Sequence, residues 1–413
     1  MNILRKIYNR FYWEFDKRFW KHFFIVYSLF VSYKRKQIQK KREITVLFVI
    51  AELASWKTES LYVAMLGHER FRPILGVTTS MEVKGSKSLL ISYIKGKGYS
   101  YVDLDQHSKS INQINPDIIF YYKPYDGSYP RCHIFKKHLK SVPCFVHYAF
   151  TSMNTIQHTY YPICSYSLYH FVENGIVKDC LVKLVGKRRS KNIRITGIPM
   201  QDSLCSPSIY HADPWNKQSL NKKRIIYAPH HSFKGTNGKG IEYATFLDFG
   251  RFMLEMAEKY KKQVFFAFKP HPTLYPKLLK LWGQQKTDDY YEKWTKLDNT
   301  QYTPGEYTGL FKYSDAMIHD CCSFQVEYLF TNKPVMFLEG DGFSSVDQNT
   351  FGQTAHKMHY IGKCKEDIET FIINVIDECD PKKVEREDFY NNYLVPPNGN
   401  TASVNIINAI LGE

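Results

Sequence analysis

The sequence has few of the features that place a chain across a membrane or in an oxidising compartment. The apolar run from Phe23 to Val31 is well short of the ~20 residues that a membrane-spanning helix needs, and no signal-peptide cleavage site follows it. The nine cysteines are an odd number without a CxxC pair or zinc-ligand spacing, which favours a reducing cytosol. No repeat of fixed period is present.

The positive charge is concentrated in one segment. Of the net charge of +16, residues 1–43 carry 12 lysines and arginines against three acidic residues, a distribution that argues against nucleic acid as the partner. Basic side chains recur there at helical spacing, with aromatic residues between them. We therefore interpret residues 1–43 as an amphipathic arm on an anionic membrane surface. The alternative is an ordinary helix that docks on the protein or on a second subunit.

From Ile44 onward, short apolar strands alternate with helices, which is typical of α/β domains with parallel sheets. The first such domain is expected over residues 44–200, and a second over residues 201–385. The remaining residues, 386–413, are predicted to end in a helix that crosses back to the first domain. With 413 residues, the chain is long enough for two large cores.

Three predicted strands of the second domain end in polar residues. Ile225–Ala228 is followed by Pro229-His230-His231-Ser232, Val264–Phe268 by Lys269-Pro270-His271-Pro272, and Ala316–His319 by Asp320 to Ser323. Because parallel strands open on one edge of a sheet, these side chains are expected to converge. A phosphate is expected at Cys322 and Ser323, before the helix Phe324–Phe330. Alternatively, Ser or Asp in such a turn is simply an N-cap.

The strings IIYAPHHSF, FAFKPHPTL and SDAMIHDCCSFQVEYLFTNKPVMFL resemble the C-terminal signature of the CDP-glycerol glycerophosphotransferase family, which includes teichoic acid primases and polymerases. GIPMQD, at Gly197–Asp202, and PDIIFYYKPYD, at Pro116–Asp126, resemble earlier segments, so the resemblance covers roughly residues 44–380. It implies a GT-B-like α/β fold, in which two Rossmann-like parallel-sheet domains face a cleft. Donor nucleotide binds the C-terminal domain of that fold and acceptor the N-terminal domain.

The resemblance also implies roles for residues of the second domain. His271 matches the histidine implicated in holding the donor's pyrophosphate, and Lys269 adds charge, although Lys-Pro-His-Pro is alternatively just a rigid loop. Asp320, Cys322 and Ser323 match the turn before the helix, although the family more often has Ser and Gly at Cys321 and Cys322. Glu327, one helical turn later, is expected to accept from the ribose hydroxyls.

The base that activates the acceptor is left open. His230 and His231 suit phosphate contact or proton transfer; His230 is preferred, and one of the pair is expected to be structural. Family polymerases carry a His-Gly pair after a strand of the first domain. When that Gly is aligned with Ala149, Tyr148 stands at the histidine position and His147 lies one residue away, where it is a candidate base or a structural histidine.

No metal or cofactor is expected, since Asp103-Leu104-Asp105 has the DxD form but lies in a strand-end loop of the first domain. The resemblance implies an enzyme at the cytoplasmic face of the bacterial membrane that moves an alditol phosphate, expected to be glycerol phosphate from CDP-glycerol, onto a hydroxyl of a lipid-linked cell-surface glycan and releases CMP. Whether the product is a teichoic acid, a capsule or a lipopolysaccharide ornament is left open. The oligomeric state is left open, with a homo-oligomer as one alternative. The alternatives are a glycosyltransferase that uses a nucleotide sugar and a basic binding module without catalysis.

Overall fold

The computed structural model describes residues 19, 23–106, 111–154, 162–205, 212–233, 242–305 and 307–413. The chain forms two compact units. The first comprises Met1–Ala149, Ile156–Asp202 and Pro396–Glu413, and the second comprises Phe150–Thr155 and Ser203–Val395.

Thirteen strands are present in the described residues. In chain order they are β1 (Ile44–Ile50), β2 (Phe71–Val77), β3 (Tyr101–Asp103), β4 (Ile118–Tyr121), β5 (Val142–Val146), β6 (His170–Val172), β7 (Ile193–Ile195), β8 (Lys223–Ala228), β9 (Val264–Phe268), β10 (Thr300–Tyr302), β11 (Ala316–His319), β12 (Val335–Leu338) and β13 (Tyr360–Gly362).

The helices of the described residues connect and flank these strands. They are α1 (23–40), α2 (Glu59–Leu66), α3 (Ser86–Gly96), α4 (Ile111–Ile114), α5 (Pro162–Tyr166), α6 (Gly175–Arg189), α7 (Met200–Cys205), α8 (Phe246–Lys259), α9 (Leu274–Trp282), α10 (Gln284–Lys296), α11 (Thr308–Lys312), α12 (Phe324–Glu327), α13 (Thr350–Lys357), α14 (Lys365–Ile376), α15 (Lys383–Phe389) and α16 (Ala402–Leu411).

The first unit is built on a seven-stranded parallel sheet with the order β3-β2-β1-β4-β5-β6-β7. Strand β1, in the interior of this sheet, is an apolar run of which six of the seven residues are buried, as expected of a strand covered on both faces. The direction of winding changes between β1 and β4, so the polar residues that follow these two strands meet at the carboxyl edge of the sheet.

The second unit contains a six-stranded parallel sheet with the order β10-β9-β8-β11-β12-β13. Its core is strongly aromatic: the rings of Phe268 and Trp294 stack at 4.9 Å, and Tyr227 lies 6.0 Å from Trp294. The neighbouring strands β9, β8 and β11 carry the three polar strand ends singled out from the sequence. The sheet therefore places these three loops side by side at one edge.

The apolar strands agree with the sequence patterns. β9 and β11 have the predicted bounds, β1 begins at Ile44 as expected, and β8 begins two residues earlier than expected. Four short strands were not predicted, because three residues that include polar side chains give no recognisable pattern. The expected helix Phe324–Phe330 is also shorter: α12 ends at Glu327 and continues as a 3₁₀ turn over Tyr328–Thr331.

Residues 23–40 of the predicted arm form helix α1, while residues 1–18 and 20–22 lie outside the described residues. The helix packs on the first unit through Phe24 and Tyr27, whose rings lie 5.2 and 5.6 Å from that of Tyr166. Within the part of the chain that the structure describes, no helix has both the length and the apolar character needed to cross a bilayer.

The segment Gly197–Asp202 anchors the end of the chain to the first unit. The carboxylate of Asp202, 5% exposed, accepts hydrogen bonds from the backbone N–H groups of Ala402 (2.7 Å) and Ser403 (3.0 Å) and from the Ser403 hydroxyl. These are groups at the start of α16, which has no helical acceptors for its first N–H groups. Asp202 therefore caps the amino end of α16 and holds this helix beside α7.

We expect Asp202→Ala to lower the free energy of unfolding by about 1–3 kcal/mol, because it leaves two buried N–H groups without an acceptor. Chemical denaturation measures the change. The matched control is Asp289→Ala, which removes an exposed carboxylate and should change the stability by less than about 0.5 kcal/mol. Equal stability of the two variants would contradict this role for Asp202.

Candidate active site

Three loops meet at the carboxyl edge of the second sheet. Backbone hydrogen bonds join the first two: the N–H of Lys269 donates to Tyr227 O at 2.8 Å, and that of His271 donates to Pro229 O at 3.0 Å. The loop after β9 is thereby held against the loop after β8. The backbones of these two loops are thus fixed relative to each other.

Three histidines come together on these loops. The ring centres of His230, His231 and His271 are separated by 4.3 Å (His230 to His231), 4.9 Å (His230 to His271) and 4.2 Å (His231 to His271). The ring of Tyr243 stacks on His230 at 5.3 Å. All three imidazoles are half-buried, so they can reach a ligand at the edge of the sheet while being shielded from water.

Hydrogen bonds define what each imidazole can offer. Nδ1 of His271 accepts from the Thr273 N–H at 3.1 Å, which places the proton of the neutral ring on Nε2. His230 Nδ1 lies 2.9 Å from the Ser232 hydroxyl. The buried Nδ1 of His231 meets no hydrogen-bond partner among the described residues. His271 therefore presents an uncharged N–H donor.

Burial keeps the three imidazoles neutral. It lowers the pKa of His230 to about 2, helped by His231, His271 and Lys277. Burial likewise lowers the pKa of His231 to about 4, with Lys277 contributing, and that of His271 to about 3, with His231, Lys269 and Lys277 contributing. Burial disfavours the charged form, and the neighbouring cations act in the same direction. An anion bound here would reverse both effects.

Two lysines lie beside the histidines. Lys277, on α9, donates to the carbonyl of His231 at 3.1 Å, and burial followed by the charge of Lys280 lowers its pKa. Lys269 is 6% exposed, with its Nζ 5.6 Å from the centre of the Tyr307 ring. Cations and N–H donors on converging loops favour an anionic ligand such as a phosphate.

Asp320 fixes the geometry of this edge. It is fully buried. Its Oδ1 accepts from the His230 N–H at 2.5 Å, and its Oδ2 accepts from the N–H and hydroxyl of Thr245 at 2.7 and 2.9 Å. Burial raises its pKa to about 6, against the lowering effect of these hydrogen bonds. Since both oxygens are engaged by the protein, Asp320 positions the His230 loop and the start of α8.

The turn from Cys321 to Ser323 precedes α12. The Ser323 side chain makes no capping hydrogen bond to the helix, and its Oγ lies 3.0 Å from the Cys321 sulfur. Burial raises the pKa of the Cys322 thiol to about 12, so the thiol stays neutral. With four residues, α12 is too short for a large dipole. The Ser323 hydroxyl is thus the group of this turn best suited to donate to phosphate.

Glu327 is 2% exposed and accepts a hydrogen bond from the Tyr307 hydroxyl. The sequence pattern did not reveal this partner, because Tyr307 is 20 residues away and belongs to no strand end. The expected contact of Glu327 with ribose hydroxyls stays a prediction.

His147 belongs to the first unit, at the end of β5. It is 4% exposed. Its Nδ1 lies 2.6 Å from the carbonyl of Ala149 and 3.3 Å from the N–H of the same residue, and the shorter contact favours the tautomer with the ring proton on Nδ1. Its Nε2 is buried and has no hydrogen-bond partner among the described residues. Burial lowers its pKa to about 4. The adjacent Tyr148 ring faces Lys123, with the ammonium 5.9 Å from the ring centre.

Two charged networks of the first unit were not anticipated from the sequence. Lys123, 6% exposed, lies 2.8 Å from both carboxylate oxygens of Glu52 and 2.6 Å from Glu82. These residues follow β4, β1 and β2, at the carboxyl edge of the sheet. In the DxD segment, Lys87 Nζ lies 2.7 Å from both Asp103 and Asp105. An ammonium group thus stands between the two carboxylates that a metal would need.

Sequence comparison decides the family. The profile of the family described as CDP-Glycerol:Poly(glycerophosphate) glycerophosphotransferase matches residues 153–412. The chain belongs to this family. It is accordingly a glycerophosphotransferase-type enzyme. A comparison with curated protein sequences gave no significant match.

Solved structures confirm the fold class, α/β with two Rossmann-like parallel-sheet domains of GT-B type. A variant of the wall teichoic acid polymerase TagF is 13% identical with a TM-score of 0.57, covering 96% of this chain and 97% of that one. UDP-GlcNAc 2-epimerase from Neisseria meningitidis, bound to UDP-GlcNAc, is 15% identical with a TM-score of 0.57, covering 90% and 100%. S. aureus MnaA with UDP is 15% identical with a TM-score of 0.56, covering 89% and 96%.

The histidine cluster of this glycerophosphotransferase also has the donor set of a transition-metal site. One ring nitrogen from each of His230, His231 and His271 lies within 4.8 Å of the others. Three neutral imidazoles suit zinc or copper. However, the adjacent Lys269 and Lys277 oppose a cation, so the local charge favours an anion.

We expect Asp320→Ala to lower the unfolding free energy of the glycerophosphotransferase by about 1–3 kcal/mol, because the N–H groups of His230 and Thr245 lose their acceptor. Denaturant titration measures this change. As the control, Asp341→Ala removes an exposed carboxylate from the same unit and should be nearly neutral. If both variants unfold at the same denaturant concentration, Asp320 does not hold the loop as described.

Proposed function

We propose that this protein is a membrane-associated glycerophosphotransferase that moves glycerol phosphate from CDP-glycerol onto a hydroxyl of a lipid-linked cell-surface glycan and releases CMP. The cluster of His230, His231 and His271 beside two lysines is the observation that carries the proposal. It lies in the part of the chain that the family profile matches. The similar fold of TagF, named a wall teichoic acid polymerase and also solved after soaking with CDPG, supports the same substrate class.

In this proposal, the cluster binds the pyrophosphate of the donor. Nε2–H of His271 donates a hydrogen bond, and the ammonium groups of Lys269 and Lys277 supply positive charge. The Ser323 hydroxyl donates a hydrogen bond to phosphate, and the buried Glu327 accepts hydrogen bonds from the ribose hydroxyls of CDP-glycerol. Fixed donors in a water-poor site favour the charge that grows on the leaving phosphate during transfer.

The reaction is an in-line displacement at the distal phosphorus of CDP-glycerol. The acceptor oxygen forms a new P–O bond, the P–O bond to CMP breaks with its electron pair, and the product is a phosphodiester. The hydroxyl proton passes to a base, for which His230, His231 and His147 are the candidates. His147 has the orientation of a base because its Nδ1 faces a backbone carbonyl and its Nε2 keeps a lone pair.

The membrane part of the proposal rests on α1. Its outward face carries four large apolar residues that are between 49% and 67% exposed: Ile25, Val26, Leu29 and Tyr33. An exposed helix face is normally polar, and such a stripe next to basic residues suits the interface of an anionic membrane. These features support peripheral attachment at the cytoplasmic face, where a lipid-linked acceptor is available.

The donor is identified by CMP release from CDP-glycerol, CDP-ribitol and several nucleotide sugars, with membrane lipid extract as acceptor. We expect turnover with a CDP-alditol and a loss of about 10²-fold or more in kcat/KM for His271→Ala, because a preorganised donor to the leaving phosphate is removed.

The matched control is His68→Ala. Nδ1 of His68 also accepts from the N–H two residues later, Arg70, at 3.2 Å, but His68 lies in the first unit. This variant should retain full activity. Turnover with a nucleotide sugar alone would replace the proposed function by a glycosyl transfer, and unchanged activity of His271→Ala would remove this residue from the donor site.

Donor binding is expected to take up protons. In the free protein, burial lowers the pKa values of His230, His231 and His271 to about 2, 4 and 3. A bound pyrophosphate raises these pKa values, because an anion favours the imidazolium form. The affinity for CDP-glycerol should therefore increase as the pH falls from about 8 to 6. Calorimetry in buffers of different ionisation enthalpy measures the uptake; proton release would contradict the assignment.

A further inference from the structure

A cavity of about 400 Å³ lies between α1 and the amino edge of the first unit's sheet. Its lining includes Lys34 and Gln37 from the helix, Lys41 directly after the helix, Asn115 before β4, and Lys140 before β5. The carboxyl edge of a parallel sheet usually carries the substrate sites, and this cavity lies at the opposite edge.

The cavity has an excess of positive charge. Its lining contains three lysines and a single acid, Asp117, which is paired with Lys41 at 2.6 Å. Lys34 Nζ stands 5.7 Å from the centre of the Phe30 ring, and Lys140 is exposed. Neither Lys34 nor Lys140 forms an ion pair with another described residue. The two lysines line the cavity from different elements of the fold.

The cavity adjoins the exposed apolar stripe of α1, which comprises Ile25, Val26, Leu29 and Tyr33. With 3.6 residues per turn, the cavity-lining positions Phe30, Lys34 and Gln37 form the next row around the helix. The buried row of Phe24, Tyr27 and Ile38 follows on its far side. A molecule in the cavity therefore lies between the buried row of the helix and its exposed apolar stripe.

We propose that this cavity binds the phosphate-bearing headgroup of an anionic phospholipid whose acyl chains lie along the exposed stripe of α1. The assignment rests on the membrane attachment in the proposed function and adds a defined lipid site to it. Charge complementarity selects the phosphate, and the neighbouring stripe selects a lipid over free phosphate, because free phosphate would gain nothing from the apolar face.

The test is calorimetric titration with a short-chain phosphatidylglycerol below its micelle concentration, so that no charged surface is present. We expect the double variant Lys34→Ala/Lys140→Ala to lose about tenfold or more in affinity, since each lysine near a lipid phosphate contributes about fivefold. The matched control is Lys36→Ala/Lys40→Ala, which removes two lysines from the outward row of the same helix and should bind the monomeric lipid as the wild type does.

Equal losses of lipid affinity in the two double variants would overturn the proposed binding site and would attribute the binding to general electrostatic attraction. Binding of free glycerol phosphate as tight as that of the lipid would also overturn it, because the apolar stripe would then contribute nothing. Flotation with vesicles of phosphatidylcholine, alone and mixed with phosphatidylglycerol, distinguishes the lipid site from membrane attachment in general. A wild-type protein that binds to neither kind of vesicle would refute membrane attachment as well. CMP release in detergent reports on the proposed reaction independently.

Discussion

The carboxylate of Asp320 is the constraint on which the second unit's edge depends. It stands at the end of β11 and accepts hydrogen bonds from the backbone of the β8 loop, at His230, and from Thr245 at the start of α8. Removing it from water is costly, as the rise of its pKa to about 6 indicates, and the three hydrogen bonds offset that cost. Loops that have no regular pairing of their own are thereby held in one arrangement.

Desolvation has a second consequence at the same edge. Three imidazoles and two ammonium groups, close together and shielded from water, are easier to accommodate if the imidazoles are neutral. A neutral ring is still an N–H donor, as the hydrogen bond from Thr273 to Nδ1 of His271 requires. In the proposed function, the glycerophosphotransferase would therefore meet a pyrophosphate with oriented N–H donors whose positive charge increases when the anion binds. Such a site would stabilise the transition state more than the bound donor, because negative charge grows on the leaving phosphate during transfer.

The sequence was sufficient to predict where these residues lie along the sheet, and insufficient to predict their partners. The apolar runs of β8, β9 and β11 identified parallel strands, and parallel strands share a carboxyl edge, which is why His230 and His271 could be expected to converge. The engagement of Asp320 by Thr245, and of Glu327 by Tyr307, joins residues 75 and 20 positions apart. No periodic pattern encodes such contacts, since they depend on how helices pack over the sheet. The short strand β6 was missed for a related reason: His170 interrupts the apolar pattern.

The formal charge of +16 has different meanings in different parts of the fold. In the first unit, Lys123 is buried between Glu52 and Glu82, and Lys87 lies between Asp103 and Asp105. Buried or shared in this way, these lysines compensate acids and attract no partner. By contrast, Lys34, Lys36 and Lys40 lie on a surface helix next to an apolar stripe and form no ion pair with the residues that the structure describes. Charge in that position acts on an anionic surface within a Debye length of about 8–10 Å. The membrane attachment in the proposed function therefore rests on the placement of these lysines rather than on the total number of lysines.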